Sequence, residues 1–221
     1  MKGLGVDRYS VAVGLIFLAL IAVATVHTLS GNGGEDTLGL DQQPPHWPLP
    51  EFAVPAASGH LEGDANVYQD DCDSSTLPCP DPRVPACQIA TAGAIRVCDL
   101  FDRPLVISFW FGTENRCERQ QGVVSEVAER YRGRVNFLSL DVLDSRESVG
   151  ELVRQQGWAM PVGFDRDGAV AALYRIAICP TFAYAYPGGT LQSASIGELT
   201  VGGLSHHVEE LLSATRVAER G

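Results

Sequence analysis

The clearest structural signal in the chain is Ile107-Ser108-Phe109-Trp110-Phe111-Gly112-Thr113-Glu114-Asn115-Arg116-Cys117. Residues 105–111 are almost continuously apolar, which is typical of a β-strand that is buried on both faces. Beyond Cys117 the apolar residues recur at helical spacing, at Val123, Val124, Val127, Ala128 and Tyr131. The pattern therefore predicts a buried strand followed directly by an amphipathic helix, with Glu114 and Cys117 at their junction.

The rest of the chain alternates between strand-like and helix-like patterns. Strands are predicted at 52–55, 135–142, 160–164, 180–186 and 191–196, and helices near 146–153, 169–174 and 204–212. Asp144 followed by Glu147 resembles a helix-capping box, and residues 187–189 form a Pro-Gly-Gly turn. The order βαβαβα followed by ββα predicts an α/β fold: a central mixed sheet with helices on both faces and an antiparallel hairpin at one edge.

The N-terminal segment 9–29 is the most hydrophobic part of the chain. As a helix it would span about 31 Å, close to the thickness of one hydrocarbon core. Lys2 and Arg8 precede it, so the positive-inside rule predicts a single-pass membrane anchor with residues 1–8 in the cytoplasm and the remainder outside. The alternative is a cleaved signal peptide with secretion, since Ala22-Val23-Ala24 has the form of a cleavage site. Both predict export to a compartment where disulfides persist.

Composition divides the chain into four parts. Residues 1–29 are the predicted signal anchor, 30–50 a Gly- and Pro-rich linker, 51–215 a folded domain with a cysteine-rich insertion at about 69–98, and 216–221 a tail. The formal net charge is −11, and an acidic protein lacks the positive surface that phosphate groups require. The charge therefore argues against nucleic acid as a partner.

Four of the six cysteines, namely Cys72, Cys79, Cys87 and Cys98, precede the buried strand. Residues 88–97 read as a hairpin that turns at Ala92-Gly93, and this register would place Cys87 opposite Cys98, within reach of a disulfide. A bridge between Cys72 and Cys79 then follows by elimination. Both bridges are predicted to be structural.

Neither a metal nor a cofactor is expected. The cysteines contain no C-x-x-C knuckle of the kind that binds zinc. His206 and His207 are adjacent on the last predicted helix and would face different ways, so they are interpreted as surface residues.

Residues 107–117 resemble the active-site strand and helix start of thioredoxin-like proteins, which read roughly F-W-A-x-W-C-x-x-C. Cys179-Pro180-Thr181-Phe182, followed by residues 187–189, is similar to the cis-proline strand and hairpin of the same superfamily. The additional helix and strand at 146–164 resemble those of the TlpA/ResA-type branch, which consists of membrane-anchored, extracytoplasmic redoxins. The resemblance covers about residues 51–215 and implies a thioredoxin-like fold.

The chain departs from this family at the reactive position. The first cysteine of C-x-x-C falls on Glu114, and a carboxylate cannot attack a disulfide; only the second position, Cys117, is a cysteine. Trp110, Glu114, Pro180 and Thr181 would surround the site. The resemblance places Cys179 beside Cys117, where the two could form a redox pair, a permanent disulfide or two free thiols.

Two functions are compatible with these residues. The first is an atypical thiol–disulfide oxidoreductase that acts through Cys117, with or without Cys179, on protein thiols or disulfides outside the cytoplasm. The second is a redox-inactive binding module that holds extended polypeptide beside Pro180. A one-cysteine peroxidase that uses Cys117 is a minor alternative, because Thr113 does not have the peroxidase spacing.

Overall fold

The computed structural model describes residues 39–66, 84–112, 115–218 and 220, together with Phe17 and Ile21. The chain divides into two units, 1–37 and 38–221; in the first, Phe17 and Ile21 are helical. Among the residues described, no helix is both long and apolar enough to cross a bilayer. Apart from these two residues, the predicted anchor at 9–29 lies outside the described residues.

The second unit contains seven described strands and four described α-helices. The strands are β1 (Ala53–Pro55), β2 (Ala94–Arg96), β3 (Leu105–Trp110), β4 (Asn136–Val142), β5 (Val162–Asp165), β6 (Thr181–Ala185) and β7 (Leu191–Ile196). The helices are α1 (Asn115–Arg130), α2 (Arg146–Gln156), α3 (Ala169–Leu173) and α4 (Val201–Ala218). From β3 onward the order is βαβαβα followed by ββα, which confirms the predicted succession.

The main sheet has the strand order β5-β4-β3-β6-β7. Strands β3, β4 and β5 are parallel, whereas β6 and β7 run antiparallel to their neighbours, so the sheet is mixed as predicted. Trp110 at the end of β3 is paired with Asp141 of β4, and Phe109 is paired with Thr181 at the start of β6. The ends of β3 and β4 and the start of β6 therefore meet at one edge, where α1 also begins.

Hydrophobic clusters cover both faces of this sheet. Side chains of β3 alternate between them: Ile107 and Phe109 pack in one cluster, and Val106 and Trp110 pack in the other. The first cluster includes residues of α3, and the second includes residues of α1, α2 and α4. Every residue of β3 is buried, as expected of a central strand between two layers of helices.

Residues 39–50 do not behave as the predicted linker. Leu40 and Leu49 are 1% and 5% exposed and belong to the core. The backbone N–H of Leu49 donates to Gly189 O at 2.8 Å, and that of Leu191 donates to Trp47 O at 2.8 Å. The Pro- and Gly-rich composition predicted a tether, but widely spaced apolar side chains attach this segment to the domain, which begins before residue 51.

The predicted hairpin at 88–97 is also wrong. Residues 86–88 form a 3-10 helix, and β2 pairs antiparallel with β1, with Val54 opposite Ile95. Cys87 and Cys98 are nevertheless joined by a disulfide, with a Cα–Cα distance of 5.8 Å. The pairing therefore comes from two 3-10 helices that β2 brings together, and not from cross-strand register. Cys72 and Cys79 lie outside the described residues.

Two helical glycines provide a test of this packing. An added Cβ at Gly150 in α2 would lie 2.8 Å from the carbonyl oxygen of Ala57, whereas at Gly122 in α1 it would meet nothing within 4 Å. We expect Gly150→Ala to lower the free energy of unfolding by about 1–3 kcal/mol, because the backbone must move. The matched control Gly122→Ala should raise it by about 0.5–1 kcal/mol. Chemical denaturation measures both, and equal effects of the two substitutions would contradict the packing of α2 against Ala57.

Candidate active site

The junction between β3 and α1 positions the first functional residue. Trp110 ends the strand, and Cys117 lies in the first turn of α1 with 1% of its surface exposed. Thr113 and Glu114, between these two elements, lie outside the described residues. A thiol at this position is near the positive end of the helix dipole, which favours the thiolate, but its burial opposes ionisation.

Cys117 is bonded to Cys179, and the Cα–Cα distance is 5.9 Å. Cys179 is partly exposed and belongs to the loop before β6, so the bridge connects residues that are 62 positions apart. The peptide bond that follows, Cys179–Pro180, is cis. Of the three states considered for this pair, the structure contains the disulfide.

A chain of buried hydrogen bonds connects the elements that form the junction between β3 and α1. Trp110 Nε1 donates to Ser139 Oγ at 2.8 Å, and Ser139 Oγ donates to Gln121 Oε1 at 2.9 Å. Gln121 Nε2 in turn donates to Ser108 Oγ at 3.1 Å. The chain joins β3, β4 and α1, and it satisfies polar groups that are costly to bury alone. The sequence reasoning missed it, although Ser108 interrupting an apolar strand was a visible signal.

A second pair of hydrogen bonds fixes the other side of α1. Gln120 Nε2 donates to Leu199 O at 3.0 Å, and the Leu199 N–H donates to Gln120 Oε1 at 2.9 Å.

Next to the Cys117–Cys179 bridge, Thr181 is buried, and its hydroxyl donates to Ile178 O. Ile178 itself is 57% exposed, so the surface beside Cys179 carries an apolar side chain that a bound polypeptide could contact.

An acidic pocket of about 410 Å³ lies beside the junction between β3 and α1, and Trp110 and Gly112 form part of its lining. Its carboxylates come from α1, from the end of β4 and the loop that follows it, and from α2: Glu118, Asp141, Asp144 and Glu151. The backbone N–H of Gly112 donates to Asp144 Oδ2 at 2.7 Å.

The N-cap of α2 differs from the predicted capping box. Ser145 caps the helix, because its Oγ accepts the N–H of Ser148 at 3.3 Å. Asp144 precedes the cap, and its carboxylate is directed to Gly112 instead. The Asp144 carboxylate, which the sequence predicted to cap the helix, therefore lines the acidic pocket instead.

His207 was predicted to be a surface residue, but it is half-buried. Its ring stacks on Tyr184 with centroids 5.1 Å apart, and its Nδ1 lies 3.4 Å from Glu210. Adjacent His206 contacts the same carboxylate at 3.3 Å, so the two rings share a partner on α4.

Asp141 is the most perturbed carboxyl group of the pocket. Its side chain has no exposed surface, and no described residue makes a hydrogen bond to its Oδ2. Burial, followed by the nearby charge of Asp144, raises the pKa of Asp141 to about 9. The folded protein therefore holds this carboxyl in its neutral form at neutral pH.

This perturbation makes stability depend on pH in a defined direction. The unfolded chain releases the Asp141 proton near the ordinary pKa of 3.8, whereas the folded protein retains it until about pH 9. Between these values the contribution of Asp141 to stability is lost as pH rises, by at most about 1.4 kcal/mol per pH unit. We expect Asp141→Asn, which cannot titrate, to gain stability relative to the unmodified protein between pH 5 and pH 8, as measured by urea denaturation. A difference that is independent of pH would contradict the assignment.

The chain is similar to known proteins in both sequence and structure. No family model matches the chain. The thiol-disulfide oxidoreductase ResA of Oceanobacillus iheyensis is 20% identical over 118 residues, which are 53% of this chain and 62% of that protein. ResA of Bacillus anthracis is 24% identical over 118 residues, covering 53% of this chain and 68% of that protein. The chain thus spans less than two thirds of the Oceanobacillus protein.

Two solved structures match more of the chain. A putative thiol:disulfide interchange protein DsbE from Chlorobium tepidum has a TM-score of 0.56 and 13% identity, covering 79% of this chain and 99% of its own. A putative protein disulfide isomerase from Bacteroides thetaiotaomicron has a TM-score of 0.58 and 11% identity, covering 81% and 97%. These similarities establish the fold. The ResA relatives add that the sequence is similar to thiol-disulfide oxidoreductases of the ResA type.

Proposed function

We propose that this protein is an exported thiol–disulfide oxidoreductase whose redox centre is the non-contiguous pair Cys117 and Cys179. One observation carries the proposal: the first-turn cysteine of α1 is bonded to the cysteine that precedes cis-Pro180. The ResA relatives are thiol-disulfide oxidoreductases, which supports the same chemistry. The substrates would be protein thiols or disulfides, and no cofactor is needed for the exchange.

The exposure of the two sulfur-bearing residues assigns their roles. A substrate thiolate attacks Sγ of Cys179, because Cys179 is partly exposed while Cys117 is buried. The Cys179–Cys117 bond breaks, a mixed disulfide forms on Cys179, and Cys117 leaves as the thiolate. A second substrate thiolate then attacks the substrate sulfur of the mixed disulfide and releases Cys179. The substrate becomes a disulfide, and the protein gains two electrons and two protons; the reverse sequence reduces a substrate disulfide.

Local charge favours Cys117 as the leaving group. Its place in the first turn of α1 stabilises a thiolate, and a thiol of lower pKa leaves faster. Arg116 and Arg119 add positive charge, which Glu118 partly offsets. Glu114 cannot form a mixed disulfide, so in this proposal Cys179 provides the attacked sulfur that the C-x-x-C motif lacks.

A redox-inactive binding module remains the second candidate, and the burial of Cys117 favours it. The bridge would then be permanent, and the surface beside Pro180 would hold extended polypeptide without chemistry. A peroxidase requires a free thiol, and the bond between Cys117 and Cys179 favours exchange over that alternative.

The compartment is part of the same proposal. The apolar segment 9–29 and the preceding Lys2 and Arg8 support a membrane anchor with the C-terminal domain outside the cytoplasm. Outside the cytoplasm, disulfides such as Cys87–Cys98 persist.

Selective reduction tests the redox proposal. A mild reductant should open Cys117–Cys179 before Cys87–Cys98, because only the former would release a thiol in the first turn of an α-helix, where the helix dipole favours the thiolate. Differential alkylation and peptide mapping measure the order of opening. Cys117→Ser should abolish exchange with a dithiol peptide, and Glu114→Cys should raise it by restoring C-x-x-C.

The matched control is the double substitution Cys87→Ser and Cys98→Ser, which removes a disulfide at a distance from α1 and should retain exchange. A Cys117–Cys179 bridge that resists reduction until the protein unfolds, together with a Cys117→Ser variant that behaves as the unmodified protein, would establish the binding module instead.

Topology has a separate test. Protease added to intact cells whose wall has been removed should digest the domain, because the positive-inside rule places it outside. The mature N-terminus distinguishes the two forms of export. A chain that begins at Thr25 has been cleaved, whereas an intact start indicates the anchor. Complete protection from the protease would contradict export.

A further inference from the structure

The acidic pocket beside the β3–α1 junction has properties that the exchange chemistry does not use. Four carboxyl groups line it, from Glu118, Asp141, Asp144 and Glu151, and none of the described residues in its lining is basic. Acidic residues alone are ordinary on a protein with a net charge of −11. What distinguishes this pocket is a buried carboxyl with an unused acceptor.

That carboxyl is Asp141. Its side chain is fully buried and lines the pocket, and among the described residues nothing hydrogen-bonds to its Oδ2. Its other oxygen accepts the Asp144 N–H at 3.3 Å. Buried polar atoms in folded proteins generally have partners, so an orphaned acceptor in a residue that lines a pocket indicates a donor that arrives with a ligand.

The neighbouring Asp144 requires the same kind of ligand. It accepts the Gly112 N–H through Oδ2 and lies close enough for its charge to raise the pKa of Asp141. In the free protein, repulsion between the two carboxyl groups is avoided because Asp141 stays protonated. A positive group bound between them would replace that proton and let both carboxyl groups ionise, so a cation is the donor that best matches the pair.

A metal ion fits this pocket poorly. Calcium and magnesium need several oxygen ligands that converge on one point. In the described part of the chain, the one group of three potential metal-ligating side chains within 4.8 Å is Glu51, Cys87 and Cys98, which lies outside the pocket and offers a single carboxylate. A pocket of about 410 Å³ is also far larger than a single ion requires. Size and ligand spacing therefore favour an organic cation on a flexible stem.

We propose that this pocket binds a basic side chain, arginine or lysine, of the polypeptide substrate and so holds the substrate beside the cystine. The inference rests on the proposed function, since the pocket includes Glu118, the residue after Cys117, and Trp110, which packs in the same cluster as Cys117. An arginine fits best, because its planar group can donate to Asp141 and Asp144 together. The oxidoreductase would then prefer substrate cysteines that have a basic residue nearby.

Binding of peptides that cannot react tests the pocket independently of redox chemistry. Two fluorescent peptides carry serine in place of cysteine and differ only in arginine against citrulline, its neutral isostere. The full chain should bind the arginine peptide about fivefold more tightly, the upper range for a partly exposed ion pair. Fluorescence anisotropy measures both affinities, and added salt should reduce the preference.

Charge-removing variants locate the effect. Asp144→Asn keeps an acceptor for the Gly112 N–H, and Glu151→Gln keeps the shape of the α2 surface; each should reduce the arginine preference to about twofold or less. Glu129→Gln, on α1 and outside the lining of the pocket, removes the same charge and should retain the preference.

Three results would overturn the proposal: equal affinity for both peptides, an arginine preference that Asp144→Asn and Glu151→Gln leave intact, or one that Glu129→Gln reduces as strongly. Because these peptides contain no thiol, their binding is read without exchange activity. Loss of the redox proposal with an intact arginine preference is thus distinguishable from loss of the pocket itself.

Discussion

Strand β3 is buried along its whole length, and this constraint organises the molecule. Its side chains alternate into two hydrophobic clusters, so helices are required on both faces of the sheet. The strand also lies at the centre of the sheet order, with parallel β4 on one side and antiparallel β6 on the other. The end of β3 is therefore the one point where three strands and the start of α1 come together.

Chemistry at that point depends on rigid support. The hydrogen bonds from Trp110 through Ser139 and Gln121 hold the strand and the helix in one arrangement, while Gln120 holds the opposite side of α1. Supported in this way, the first turn of α1 presents Cys117 to the loop before β6. The proposed redox pair comes from two separate elements and keeps the geometry of the fold, although Glu114 occupies the position of the first motif cysteine.

The two proposals together give the site two kinds of selectivity. Exposure makes Cys179 the accessible end of the bridge, and burial protects Cys117 until the bond opens. The acidic pocket at the same junction adds an electrostatic preference, because its buried carboxyl has an acceptor that no described residue uses. In the proposed mechanism, exchange and recognition are thus carried out by different side chains at one edge of the sheet.

Local pattern alone determined the order of strands and helices, the mixed sheet and the resemblance around Cys117 and Pro180, because hydrophobic period and short motifs depend on near neighbours in the chain. Partnerships between distant residues were decided only by tertiary structure. Strand β2 pairs with β1 and not with a hairpin partner. Asp144 accepts a hydrogen bond from Gly112, so Ser145 caps α2 in its place. Residues 39–50 pack on the core. A strand edge can pair with many strands, a carboxylate can accept from many donors, and an isolated leucine can pack against many apolar surfaces. Only the folded chain determines which of these partners lies within reach.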